Sequence, residues 1–278
     1  SMFWASRAIF ALASAARAAS TVSGRAAGGG RALGPRLHAP LPLAAGALVA
    51  LPDEQRHYLA TVMRVRPGRP FRLFNAADGE FEATVDRLDR KSAEVRVGAQ
   101  LRPPPESAVG PTLLFGVLKG PRLGMLVEKA TELGVHTLQP VVSEYCVART
   151  VSLPRLIAIA TEAAEQSGRL SVPRVLEAAP LLDVLRGWEP SVPLCACDER
   201  GGGVPLAAAG VGRAAGLLVG PEGGFSPAEF EALAQMGCVV RVSLGPHILR
   251  AETAAMSGLV LLGSQAGEAQ SAANREGN

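Results

Sequence analysis

The chain carries no acidic residue before Asp53, although Arg7, Arg17, Arg25, Arg31 and Arg36 fall in that stretch. An Ala-, Ser- and Arg-rich segment without acids, in which Phe3, Trp4, Ile9, Phe10 and Leu12 can share one side of a helix, has the pattern of a mitochondrial transit peptide. The same arginines account for the net charge of +3; with those five set aside, 23 basic and 25 acidic residues leave −2. The body of the protein is therefore not generally basic, and affinity for nucleic acid must come from a local patch. No stretch approaches the roughly 18 consecutive apolar residues of a membrane-spanning helix. Cysteine is scarce: Cys146, Cys195, Cys197 and Cys238 form no Cys-x-x-Cys pair and have no histidine set nearby. That pattern argues against structural zinc and a disulfide framework, and no metal site is expected. What is present, 48% hydrophobic and 19% charged in 278 residues, suits a globular chain of one large or two moderate domains.

The chain divides into a leader at 1–45, a small β domain at 46–104, an α/β domain at 105–266 and a disordered tail at 267–278. In the β domain, 57–63 reads as a short helix and 71–75, 80–86 and 92–97 as strands. Turn signals stand at Pro67-Gly68, Asp78-Gly79 and near Asp89. Pro103-Pro104-Pro105 is a stiff spacer. Beyond it strands (112–118, 138–142, 193–197, 216–219, 238–243) alternate with helices (123–133, 153–166, 182–188, 250–262), the rhythm of a largely parallel sheet. Ser226-Pro227-Ala228-Glu229 is a capping box with proline at the first helical position.

Loops leave the carboxyl ends of strands 216–219 and 238–243, and ligands of open α/β sheets bind in such crevices. Gly220, Gly223 and Gly224 let the backbone approach a ligand and take up positive φ. No Lys-Ser/Thr follows, as a nucleoside-triphosphate loop requires. Alone, the segment is equally a tight turn.

It is not alone. Leu218-Val219-Gly220-Pro221-Glu222-Gly223-Gly224-Phe225-Ser226 resembles the signature of the RsmE family of ribosomal RNA methyltransferases. Three further segments match in order: 128–134 (EKATELG), 162–169 (EAAEQSGR) and 244–254 (LGPHILRAETA). The likeness runs from about Asp53 to Leu262. It implies a SPOUT-type trefoil-knotted α/β domain preceded by a PUA-like β-barrel, a rare exception to unthreaded connections. It further implies methylation of uridine N3 in small-subunit ribosomal RNA, with S-adenosylmethionine held by Leu218, Val219, Gly220, Pro221, Glu222, Gly223, Gly224, Leu244, Gly245, Ile248 and Leu249. The family works as homodimers on ribosomal RNA or the assembling small subunit; with the leader, this chain is expected in the mitochondrial matrix. It departs from the family pattern between Cys146 and Glu162, where it is shorter, and at His247, where a more basic residue is common.

The N3 proton makes uracil a poor nucleophile until it is lost or shared, so the site needs a cation near the base oxygens and a proton acceptor. Arg250 suits the first role, and Glu222 or Glu252 the second or the orientation of Arg250. Local salt bridging is the bland alternative for Arg250 and Glu252. For RNA capture, Arg56, Arg64, Arg66, Arg69 and Arg72 lie in an acid-free stretch at 55–77, with His57 and Tyr58 as stacking surfaces. A solvated charged face is the competing account. Lys119 and Arg122 extend this track, while Gln166 and Arg169 either touch the target nucleotide or cap a helix. The alternative function is a catalytically weak or inactive RNA-binding assembly factor with the same fold.

Overall fold

The computed structural model describes residues 34–62, 65, 68–90, 92–105, 109–198 and 201–276, without the side chains of 62 and 265–276. Most of the expected leader, Arg64, Arg66 and Pro67 lie outside the described residues. Two compact units meet in sequence between Pro104 and Pro105, inside the proline run.

The first unit contains β1 (Arg36–His38), β2 (Leu48–Ala50), α1 (Asp53–His57, followed by a π-helical turn), β3 (Pro70–Asn75), β4 (Gly79–Leu88) and β5 (Ala93–Arg102). The sheet order is β1-β3-β4-β5-β2. Only the β1–β3 pair is parallel. Alternation along β3, β4 and β5 buries Phe71, Leu73, Phe81, Ala83, Val85, Val95 and Val97 against Leu37, Leu43 and Leu59. At the β3–β4 turn, Asp78 accepts from Leu43 N–H (2.9 Å) and from the Asn75 side chain (2.9 Å). Gly79 follows at φ 96°, where a Cβ would lie 2.2 Å from the Arg102 carbonyl oxygen. A leader ending at residue 45 is therefore a correction to make: Leu37 and Leu43 are core residues, and β1 pairs with β3. Three-residue strands are too short for periodicity to reveal.

The second unit runs β6 (Thr112–Gly116), α2 (Pro121–Glu132), β7 (Thr137–Val142), α3 (Leu153–Ser167), β8 (Arg174–Val175), β9 (Ala179–Pro180), α4 (Leu181–Arg186), β10 (Leu194–Cys197), β11 (Val204–Pro205), β12 (Gly216–Val219), α5 (Pro227–Ala234), β13 (Val239–Ser243) and α6 (Ala251–Glu276). The sheet is ordered β11-β13-β10-β12-β6-β7-β8, with β9 also on β7. Every pairing in it is parallel. Both faces are covered, as a parallel sheet requires. Leu113, Phe115, Leu217 and Val219 pack with Leu126, Leu156 and Leu259 of α2, α3 and α6. Leu114 and Leu218 point the other way, onto Leu181, Leu185 and Leu233 of α4 and α5. From β12 the chain passes β10 to reach β13 on its far side, and α6 then returns to pack against β12 and β6.

The expected end of the last helix near 262, with a disordered tail from 267, also needs correction. Helical backbone continues to Glu276, through an Ala-rich stretch in which isolated glycines cost helix stability without ending it.

Candidate functional site

Three strand ends, rather than the two expected, build a cavity of about 530 Å³, within the range of small-molecule sites. Cys197, Asp198 and Gly201 come from the end of β10, the 219–225 loop from β12, and a continuous run from Val242 to Ala251 from β13. Val219, Gly220, Pro221, Glu222, Gly224, Leu244, Gly245, Ile248, Leu249 and Arg250 all line it. Leu218 does not, because strand alternation turns it into the opposite core. Gly223 is also absent from the wall. A Cβ there would stand 2.9 Å from Tyr145 Cβ, so this glycine accommodates the chain after β7 rather than a ligand.

Of the three loop glycines only Gly224 has positive φ, 68°; the expectation for Gly220 and Gly223 is corrected to close packing. Gly220 is confined by the Phe225 ring, which a Cβ would meet at 3.2 Å. At the neighbouring strand, a Cβ on Gly116 would lie 2.5 Å from Pro221 N. The capping box anchors the far end of the loop: Ser226 Oγ accepts from Glu229 N–H, and the Glu229 carboxylate accepts from Ser226 N–H at 2.8 Å. Its second oxygen accepts from Glu144 N–H, also at 2.8 Å. Buried Glu229 thus ties the loop to the end of β7, a role its cap signature did not reveal. Asp198, which sequence reasoning missed, is buried on the cavity wall and accepts from Arg241 Nε at 2.8 Å. An acid placed directly after the apolar run Leu194–Cys197, at the carboxyl end of its strand, was the available signal.

The charges fall into two sets. Arg122, at the start of α2, donates to Glu222 Oε1 at 2.8 Å and approaches Glu252 Oε1 at 4.0 Å. This reassigns Arg122 from a free RNA contact to a tether between α2, the glycine loop and α6. Glu252 is buried, and its Oε2 has no hydrogen-bond partner among the described residues. It does not line the cavity, whereas Glu222 does. Arg250 is exposed on the cavity wall. No ion pair or hydrogen bond engages its guanidinium among the described residues, so local salt bridging does not account for it.

Several expected RNA contacts are committed elsewhere. Arg169 donates to the Thr131 and Val135 carbonyls (2.7 and 2.9 Å) and to Ser171 Oγ. Burial holds it down to about 10. It fastens the chain after α3 to α2 and is corrected to a structural residue, while Gln166 is exposed at the helix end. Arg56 pairs with Asp53 at 3.2 Å. Arg72 faces buried Glu80 at 3.6 Å and donates to the Gly34 carbonyl, so it too leaves the presumed free track. Arg69 and Lys119 remain exposed. Lys129 bridges Glu128 and Glu132 at 2.8 Å each, as an ordinary helix face would. The segment expected to be short, 146–162, leads into α3, a 15-residue helix over Leu153–Ser167 that buries Leu156, Ala160, Ala163 and Ala164 and ends at αL Gly168.

Among the described residues, no group of three or more His, Cys, Asp or Glu could hold a metal, and no helix is long and apolar enough to cross a membrane. Burial pushes the Cys195 thiol up to about 11 and the cavity-lining Cys197 up to about 12. Because the thiolate is the nucleophile, iodoacetamide at about pH 8 should leave both unmodified in the folded protein. Mass spectrometry showing rapid alkylation of Cys197 before unfolding would contradict this.

A family model described as an RNA methyltransferase domain matches residues 105–263, and an RNA methyltransferase PUA domain matches 51–98. Ribosomal RNA small subunit methyltransferase E of Rickettsia conorii is 34% identical over 222 residues, covering 78% of this chain and 90% of that protein. The enzyme of the same name from Mycobacterium bovis is 32% identical over 234 residues, covering 78% and 87%. The crystal structure of ribosomal RNA small subunit methyltransferase E from Neisseria gonorrhoeae, bound to S-adenosyl methionine, superposes with a TM-score of 0.76. It is 31% identical and covers 84% of this chain and 98% of that one.

Proposed function

Because the chain belongs to the RNA methyltransferase family represented by the ribosomal RNA small subunit methyltransferases E, we propose that it methylates N3 of a uridine in mitochondrial small-subunit ribosomal RNA. It is an S-adenosylmethionine-dependent ribosomal RNA methyltransferase. The observation that carries the finer reading is a single cavity lined by both an unpaired Arg250 and a tethered Glu222.

The cavity fits the cofactor by chemistry as well as size. Val219, Leu244 and Leu249 offer apolar surface, the glycine loop offers backbone donors and acceptors, and Glu222 complements a cationic ligand. When bound, S-adenosylmethionine supplies a methyl group on positively charged sulfur. Arg250 stabilises the anion that develops on the uracil oxygens as the N3–H proton leaves. Glu222, which also lines the cavity, accepts that proton; the bound cofactor would supply the methyl group to N3, its sulfur–methyl bond breaking to leave a neutral thioether. Arg122 holds Glu222 in position. Arg122→Ala is therefore expected to raise KM for S-adenosylmethionine and lower kcat together, by about tenfold each, since misplacing a positioned group costs up to about 10². Steady-state kinetics with unchanged parameters would remove the tether from the mechanism.

Purified protein, labelled cofactor and small-subunit ribosomal RNA test the reaction, with mass mapping of the product. One methyl on N3 of one uridine is the expected result; methyl on another atom, or on large-subunit RNA alone, overturns it. The acid-free leader supports the matrix assignment, which a fluorescent fusion of residues 1–40 checks. The family's homodimeric habit extends to this chain as part of the same proposal, with sedimentation as its measure.

A further inference from the structure

We infer that a groove between the amino-terminal ends of α2 and α3 is a second RNA site, gripping one nucleotide of the substrate by its phosphate. The inference rests on the ribosomal RNA reading but on none of the residues of the cofactor cavity. The groove has a volume of about 210 Å³ and shares no lining residue with that cavity. Lys119 and Arg155 stand in its lining, both exposed. Neither has an ion-pair or hydrogen-bond partner among the described residues, and no carboxylate lines the groove. Two cations without counter-charge in one concavity attract an anion strongly, and a guanidinium beside an ammonium suits phosphate oxygens. The hydroxyls of Thr150 and Ser152 supply neutral donors at the same rim. The floor is apolar, built from Leu123, Val151 and Ile159, so the groove matches a base above a charged phosphate rather than a bare ion.

Gly124 gives independent support for the concavity. It lies inside α2, where glycine is less favourable than alanine by about 1 kcal/mol, yet neither strain nor crowding demands it. Its φ is not positive, and a Cβ would meet nothing closer than Ile159 Cδ1 at 3.5 Å. A side chain there would instead intrude on the groove that Gly124 lines. Keeping that space open accounts for the glycine.

The test uses the full-length enzyme and a small-subunit ribosomal RNA transcript, with KM for RNA, KM for S-adenosylmethionine, kcat and the salt dependence of RNA binding measured together. Lys119→Gln with Arg155→Gln is expected to raise KM for RNA about tenfold and to flatten the log–log salt slope by about 1.4. The kcat and the cofactor KM should hold. Gly124→Leu, which fills the groove without changing charge, is expected to weaken RNA several-fold at an unchanged salt slope. Arg186→Gln, whose guanidinium pairs with Asp183 in its own helix, serves as the control. Wild-type RNA affinity in the double variant or in Gly124→Leu overturns the site, as does equal weakening by Arg186→Gln. Failure of the unmodified enzyme to methylate the transcript would instead count against the function proposed above.

Discussion

Replacing Arg250 with Ala is expected to lower kcat for methyl transfer by about 10²- to 10³-fold, the range found when one preorganised donor to a developing oxyanion is removed. The structure makes this substitution unusually clean. The guanidinium is exposed on the cavity wall and engages no partner among the described residues, so its removal orphans no buried group. Stability should stay within about 0.5 kcal/mol of wild type, as for surface positions away from special features. The backbone carbonyl of Arg250, which accepts from Ala254 N–H at 2.8 Å to open α6, is untouched by the change. Cofactor affinity measured by calorimetry should therefore alter little, because Leu244, Leu249 and the glycine loop remain. Arg250→Lys should recover only part of the rate, since an ammonium supplies charge without the planar fork. Full activity in the alanine variant would refute the role, and loss of cofactor binding alongside activity would move Arg250 into the cofactor site.

How far the sequence foretold this arrangement depended on the length over which each signal acts. The capping box at Ser226 and Glu229 and the strand at Gly216–Val219 were legible because they are written in neighbouring residues with a fixed spacing. The α3 stop at Gly168 was readable for the same reason, and its φ of 78° explains the choice of residue. What escaped was decided by partners far along the chain. Asp198 was not seen as part of the cavity because β10 reaches that crevice only through its pairing with β12 and β13. Gly223 looked like a ligand contact because Tyr145, 78 positions earlier by number, was invisible as its neighbour. Arg122 read as a free cation until its carboxylate appeared 100 positions away. Two of the four spaced motifs nonetheless located the cavity, since the 219–225 loop and all of the second run except Val242 and Ser243 fall within them.

The arginines of the first unit show the same lesson with the larger energetic consequence: Glu80→Ala is expected to destabilise that unit by about 3–5 kcal/mol, as when one partner of a buried ion pair is removed. An acid-free run through residue 77 suggested a solvent-facing RNA track, but β-pairing brings in a carboxylate from outside it. Glu80 on β4 is buried, with Arg36 at 3.0 Å, Arg102 at 3.2 Å and Arg72 at 3.6 Å. Arg36 sets the penalty, because its side chain is only 6% exposed and its guanidinium carbon lies 4.2 Å from the Phe74 ring centroid. Arg72 and Arg102 retain more access to water, which softens their share. Burial, opposed by Glu80, holds Arg72 below the usual arginine value. Glu80→Gln keeps the shape but not the charge and should still be clearly destabilising. Pairing Glu80→Leu with Arg36→Leu should recover much of the loss, since a well-packed apolar pair can replace a buried ionic one. Urea unfolding and hydrogen exchange over peptides from 34–104 measure the effect. If Glu80→Ala instead left stability intact and altered only RNA affinity, the cluster would belong to the RNA surface after all.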